Sequence, residues 1–387
     1  MRRPVTGQYV EAATAGETVR AFVPSPLPPD PPLDLGGDLG KLLDRALVAL
    51  GRLDGASRHM PAPDVFLYTY VRREAVLSSQ IEGTQSSLSD LLLFELDEVP
   101  GVPFDDVVEV SNYVAALQHG LERVREGFPL SNRLLREVHE ILLSRGRGAG
   151  KLPGEFRRSQ NWIGGTRPGD AHFVPPPPGH VEECMGQLER WLHEEESHAP
   201  VLVRAALAHV QFETIHPFLD GNGRVGRLLI PLLLHVHGVL HQPLLYLSLY
   251  FKTHRARYYE LLDRVRTEGE WEEWIRFFAQ GVEETASTAV ATTGELHALS
   301  QADRERIRGI GRVAGSALQV HEALLGNPVT SIRRTAEKTG LSTPAVTSAL
   351  LQLSELGITR EITGRRRGRV FAYSAYMDIL QRGLEPL

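Results

Sequence analysis

The sequence predicts a mostly α fold, and three observations carry that expectation. Apolar residues recur at helical spacing from Leu39 through about Phe278. Stretches that favour β structure are short and confined to residues 154–174 and 358–373. The last region, 313–387, alternates short helical patterns with a basic hairpin. A length of 387 residues suits two or three domains, and 42% hydrophobic content suits ordinary cores. No apolar run reaches the roughly 18 residues needed to span a bilayer. Leu228 to Leu240 comes closest and is interrupted by His235 and His237. Met1-Arg2-Arg3-Pro4 is not followed by an apolar run, so no targeting leader is expected. The single cysteine, Cys184, excludes an internal disulfide framework and fits a reducing, cytoplasmic setting.

Taken in order, the chain divides into four parts. Up to about Asp38 it is rich in Thr, Gly and Pro, which predicts an extended strap. This strap and the helices that follow form an N-terminal segment, 1–110. Tyr70 to Glu82 reads as a helix stopped by Gly83, with Ser86 or Ser87 capping the next. Glu82 then falls in a last helical turn, where the dipole disfavours an anion, so a cationic partner is expected elsewhere in the fold. A central domain, 111–285, follows. Within it Gly154–Gly165 and Ala171–Val174 flank a Gly/Pro/Asp turn and predict a hairpin, and Pro175–Pro178 end it. The aromatics of 245–278, among them Tyr258, Tyr259, Trp271 and Trp274, lie at helical spacing and read as core. Small residues in 286–312 predict a connecting helix or a linker.

Residues 313–387 form the last part. Helices are expected over Ser316–Leu325, from Thr330 or Ser331 to Lys338, and from Ser342 or Thr343 to Leu356. Two strands, Ile358–Gly364 and Arg369–Tyr373, flank Arg365-Arg366-Arg367-Gly368. The arrangement resembles a winged helix-turn-helix. In the DNA-binding form its second helix enters the major groove and the basic wing meets phosphates. Residues 301–387 hold 13 Lys and Arg against 8 Asp and Glu, in a chain of net charge −6. That asymmetry points to an anionic partner such as DNA. The expected recognition helix is poor in Arg and Lys, and winged helices also serve as protein-binding or dimer modules.

The chemistry concentrates in His216-Pro217-Phe218-Leu219-Asp220-Gly221-Asn222-Gly223-Arg224-Val225-Gly226-Arg227. Gly221 to Gly223 can turn tightly, and the leucine-rich run that follows predicts a helix. A glycine turn opening a helix presents unpaired N–H groups and the positive dipole end, an anion site suited to phosphate. Arg224 and Arg227, three apart, can add charge-assisted bonds to outer phosphates. Asp220 is a hard oxygen ligand for Mg²⁺, which favours one or two carboxylates plus substrate phosphates. His216, as a neutral imidazole, can accept a hydroxyl proton. Gly221 through Arg227 are thus the candidate nucleotide-binding residues, Asp220 the candidate metal ligand and His216 the candidate base.

The stretch resembles the Fic family signature His-x-Phe-x-Asp-Gly-Asn-Gly-Arg-x-x-Arg at every fixed position. Ser78-x-x-x-Glu82-Gly83 is similar to that family's inhibitory motif, in which the glutamate pairs with the signature's second arginine, here Arg227. The resemblance implies a Fic helical core with a β-hairpin flap over the active site and an inhibitory helix ahead of it. It also implies transfer of AMP from ATP to Ser, Thr or Tyr of a target protein, the chain itself included, with release of pyrophosphate. Removal of AMP, or transfer from another nucleotide, would use the same residues. A DNA-binding regulator with a nucleotide sensor is the reading from a different class. A homodimer is compatible with all of these.

Overall fold

The computed structural model describes residues 6–58, 63–99, 101–194 and 199–385. Met1–Pro4, read above for a leader, lie outside the described residues.

The N-terminal stretch differs from the expected strap. Strands β1 (Gly7–Thr14) and β2 (Glu17–Pro24) form an antiparallel hairpin in register from Gly7↔Pro24 to Thr14↔Glu17. Ala15 and Gly16, at φ 50 and 80, make the two-residue turn that matches strand twist. Alternating apolar residues in β2 bury Val19, Ala21 and Val23, so composition alone misled. Only the proline-rich piece after Pro24 runs without regular structure, up to Gly36.

Helices then take over: α1 (Gly37–Arg58), α2 (Pro63–Ile81), α3 (Leu88–Phe94), α4 (Phe104–Arg125) and α5 (Asn132–Leu142). Ser87 caps α3 in a box with Asp90, and Gly83 at φ 97 makes the break before it. The central helices follow as α6 (Pro178–Leu192), α7 (Val201–Ile215), α8 (Asn222–Val236), α9 (Ser248–Thr253) and α10 (Arg255–Glu268). The 286–312 connection resolves as a helix, since α11 runs unbroken from Trp271 to Arg308 with α1 packed along it. No described helix is long and apolar enough to cross a membrane.

Beyond α11 lie α12 (Ala314–Gly326), β3 (Val329–Ser331), α13 (Ile332–Thr339), α14 (Thr343–Glu355), β4 (Thr359–Glu361), β5 (Val370–Tyr373) and α15 (Ser374–Gln381). Ser331 caps α13 and Ser342 caps α14. The strands make one antiparallel sheet in the order β3-β5-β4. Strand β3 and helix α15 were not foreseen, because a three-residue edge strand leaves almost no pattern. This region is not separately cored: its buried apolar residues, through Leu384, join the cluster that includes α1, α2 and α11. Tyr373 also donates to Asp303 of α11 at 2.7 Å.

Candidate active site

The site sits where α7 ends and α8 begins. Helix α7 stops at His216, whose backbone is left-handed (φ 50, ψ 60), a costly conformation for a residue with a Cβ. The surroundings hold it there. Buried Arg157 donates through Nε to the His216 carbonyl at 2.9 Å and reaches the Ile215 carbonyl, and its own N–H donates to the Pro217 carbonyl. Burial, and then the charges of Arg266 and Arg157, push the His216 imidazole down to about 3, so it is neutral at neutral pH.

The loop closes on itself next. Asn222 accepts from the Phe218 N–H and donates to the Phe218 carbonyl, each at 2.8 Å. Its side chain is therefore spent on the loop, leaving its amide for a ligand. His139 of α5 stacks on Phe218 at 3.7 Å between centroids. Its Nδ1 accepts from the Gly154 N–H, which leaves Nε2 to donate to the Asp220 carbonyl at 3.0 Å. Gly221, at φ 76, is the N-cap of α8 and offers no side chain to it. The amides of Asn222, Gly223 and Arg224 open the helix, and Val225 is the first to donate back, to Gly221. Val225 and Gly226 face inward, Val225 into the core and Gly226 toward Glu213.

Both arginines of the motif are buried and engaged. Arg224 donates to Glu109 of α4 at 3.2 Å and, at 3.5 Å, to Asp220. Asp220 is partly exposed, and its Oδ1 also accepts from the Gly221 N–H. Arg227, 2% exposed, donates from Nε to the Ser78 hydroxyl at 2.8 Å and from Nη2 to the Ser78 carbonyl at 3.1 Å. Nη2 also donates to Glu82 at 2.6 Å. The cation expected for Glu82 from its place in the helix is thus Arg227. Desolvation would raise the Glu82 carboxyl, but the Arg227 charge and hydrogen bond, joined by the charge of Arg224, hold it below the usual range. The Glu82 oxygen lies against Gly223, where an added Cβ would fall 2.3 Å from it. Glu82 therefore stands at the helix mouth itself.

The flap is tied to the same loop. Ile163 and Phe173 exchange a pair of backbone hydrogen bonds, and Asp170 caps the turn between them. This is a single bridge rather than the ladder expected of a hairpin. At its root Asn161 donates to the Phe218 carbonyl. Phe22 of β2 donates to the Val174 carbonyl, so the N-terminal hairpin extends the flap on one side. Arg266 of α10 lies 4.1 Å from the Phe173 ring centre and donates to Thr214 and to the Glu213 carbonyl.

The motif residues named from His216 to Arg227 meet here, with Ser78 brought in by α2 and Glu82 by the turn that Gly83 makes after it. Arg157, His139, Arg266 and Glu213 were not assigned beforehand. Arg157 lies within the Gly154–Gly165 stretch, but nothing local marks an arginine that binds carbonyls about sixty residues away. Glu213 is buried with an unpartnered Oε1, and burial pushes its carboxyl up to about 7.

Comparison with known proteins agrees with this geometry. Residues 40–122 match the Fic/DOC family N-terminal domain and residues 129–234 match the Fic/DOC family domain. These two stretches are Fic/DOC family domains. A protein adenylyltransferase Fic of Culex quinquefasciatus is 34% identical over 62% of this chain and 47% of that protein. One of Drosophila grimshawi is 38% identical over 65% and 48%. The chain thus spans about half the length of the curated relatives it matches. A Fic family protein from Desulfovibrio desulfuricans G20 shares the fold over 89% of this chain and 98% of its own, at TM-score 0.58 and 20% identity. Fic-1 of C. elegans aligns over 66% and 73%, at TM-score 0.52 and 24% identity.

Proposed function

We propose that this chain transfers AMP from ATP to a Ser, Thr or Tyr hydroxyl of a protein, and that Glu82 restrains it. One observation carries the reading. Three free amides at a glycine-led helix mouth lie beside a neutral imidazole, and Arg227 there is occupied by Glu82. Helix-terminal amides favour phosphate, and Arg227 released from Glu82 would meet the outer phosphates of the nucleotide. The hydroxyl oxygen attacks the α-phosphorus. A new O–P bond forms, the bond to the leaving pyrophosphate oxygen breaks, and the hydroxyl proton passes to His216. Positioning and charge stabilisation do most of the work in such transfers.

Asp220 would hold Mg²⁺. Its carboxylate is partly exposed beside the helix mouth, which suits a cation held by one carboxylate plus phosphate oxygens. When bound, the cation supplies charge neutralisation to the phosphates.

Labelling with α-labelled ATP, against the other nucleotides, tests the reading. Glu82→Gly should raise labelling of the chain or of a lysate protein, and His216→Ala should abolish it. Loss of label from a pre-modified protein would instead assign removal of AMP.

We also infer a winged helix in residues 314–373, on the α12–α13–α14 order followed by an antiparallel sheet. Exposed Arg360, Arg366 and Arg367 favour a polyanion such as DNA, which predicts binding that weakens steeply with salt.

A further inference from the structure

The turn that bears Glu82 is gripped from behind by a part of the chain three hundred residues away. Gln80 of α2 is 1% exposed and uses both ends of its amide. Its oxygen accepts from Lys252 Nζ of α9 at 2.8 Å. Its nitrogen donates to the Ser86 carbonyl at 3.0 Å and to the Leu384 carbonyl at 2.9 Å. Lys252, also buried, donates to the Glu385 carbonyl and, at 3.5 Å, to that of Gly383. Arg73, two turns earlier on α2, donates to the Arg382 carbonyl at 3.1 Å. Leu384 is 3% exposed and belongs to the main apolar core. A segment of four residues after α15 is therefore held by three side chains, two of them on α2.

The same Gln80 shapes the turn through its backbone. The Gly83 N–H donates to the Gln80 carbonyl at 3.0 Å, while the Glu82 and Thr84 N–H groups both donate to the Ser79 carbonyl. If Glu82 leaves Arg227 by movement of this turn, the Gln80 side chain must move with it. That movement breaks buried hydrogen bonds, whose loss is costly because no water replaces them.

We propose that Gln80, Lys252 and the Arg382–Glu385 segment form a clasp that positions the Glu82 turn, and that loosening the clasp releases the site for ATP. The proposal rests on the reading of Glu82 as a restraint. Gln80 and Lys252 are positioning residues, since they touch neither nucleotide nor target in that reading. Glutamine suits the place because one amide offers an acceptor to the ammonium and donors to two carbonyls. A glutamate there would keep Lys252 but turn an acceptor toward the Ser86 and Leu384 carbonyls.

The test compares AMP incorporation from α-labelled ATP in the full chain, its Gln80→Glu, Leu384→Asp and Glu82→Gly variants, and the pairwise combinations with Glu82→Gly. The clasp predicts that Gln80→Glu and Leu384→Asp each raise incorporation about threefold to tenfold, the range set by the net worth of one hydrogen bond. It predicts a lower KM for ATP and no further rise when either is added to Glu82→Gly. Wild-type incorporation in both, beside a raised Glu82→Gly, would overturn the clasp while leaving the restraint intact. No rise in Glu82→Gly would overturn the restraint instead. Hydrogen exchange of amides 79–84 would then judge the clasp: faster exchange in Leu384→Asp supports it, and unchanged exchange rejects it. If Leu384→Asp folds poorly, Lys252→Met in the same two measurements takes its place.

Discussion

The arginines around the head of α8 and three of those in the 360–369 hairpin are one chemical group under opposite rules. Arg157, Arg224, Arg227 and Arg266 are buried, and each donates to backbone carbonyls or side-chain oxygens from other elements. Arg360, Arg366 and Arg367 are exposed and make no ion pair among the described residues. A buried guanidinium is tolerable only with fixed partners, so its geometry is set before any ligand arrives. A solvated one acts through charge alone and is screened by salt. The first arrangement suits catalysis on a phosphate chain, and the second suits loose association with a polyanion.

Breaking the preorganised side should have the larger effects. His216→Ala, made in Glu82→Gly so that there is signal to lose, should cut AMP incorporation by about 10² to 10⁴-fold, as loss of a general base does. Its melting temperature should stay near that of its parent. Arg227→Ala leaves the buried Ser78 hydroxyl without its donor and Glu82 without its cation, and should cost about 1–3 kcal/mol by denaturant unfolding, since Glu82 is partly screened by solvent. Adding Glu82→Gln should return part of that loss, because the uncompensated charge goes with it.

The pH dependence separates two groups beside Arg227. Burial pushes His209 down to about 3, where it joins the Gly226 carbonyl to the Tyr258 hydroxyl. An unfolded histidine takes up a proton near 6.5, so this contribution is complete above that pH and is lost as pH falls toward 3. Glu213, raised from 4.5 to about 7, works the other way and loses stability as pH rises through that window. Relative to wild type, the slope of melting temperature against pH between 4.5 and 6.5 should therefore become more negative in His209→Gln and more positive in Glu213→Gln. On the solvated side, Arg366→Ala should change stability by no more than about 0.5 kcal/mol.

The same contrast explains what the sequence made legible. The cradle was readable because its parts are adjacent: a histidine, a carboxylate, two glycines and two arginines within twelve positions. Glu82 was readable as a misplaced anion seeking a cation. The caps Ser87, Ser331 and Ser342 were readable because capping is local chemistry. Arg157, His139 and Gln80 were not, since their partners lie 59, 81 and 304 positions away. The N-terminal hairpin was hidden by its proline-rich neighbour, although Ala15-Gly16 between two alternating runs was a usable turn signal.

The central claim is that a nucleotide triphosphate seats at the Gly221–Arg224 mouth once Glu82 leaves Arg227. ATP binding by calorimetry, on wild type, Glu82→Gly and Glu82→Gly with Arg227→Ala, tests it most directly. The account predicts binding tightened by Glu82→Gly and weakened again when Arg227 is also removed. Equal affinity in all three proteins would contradict it.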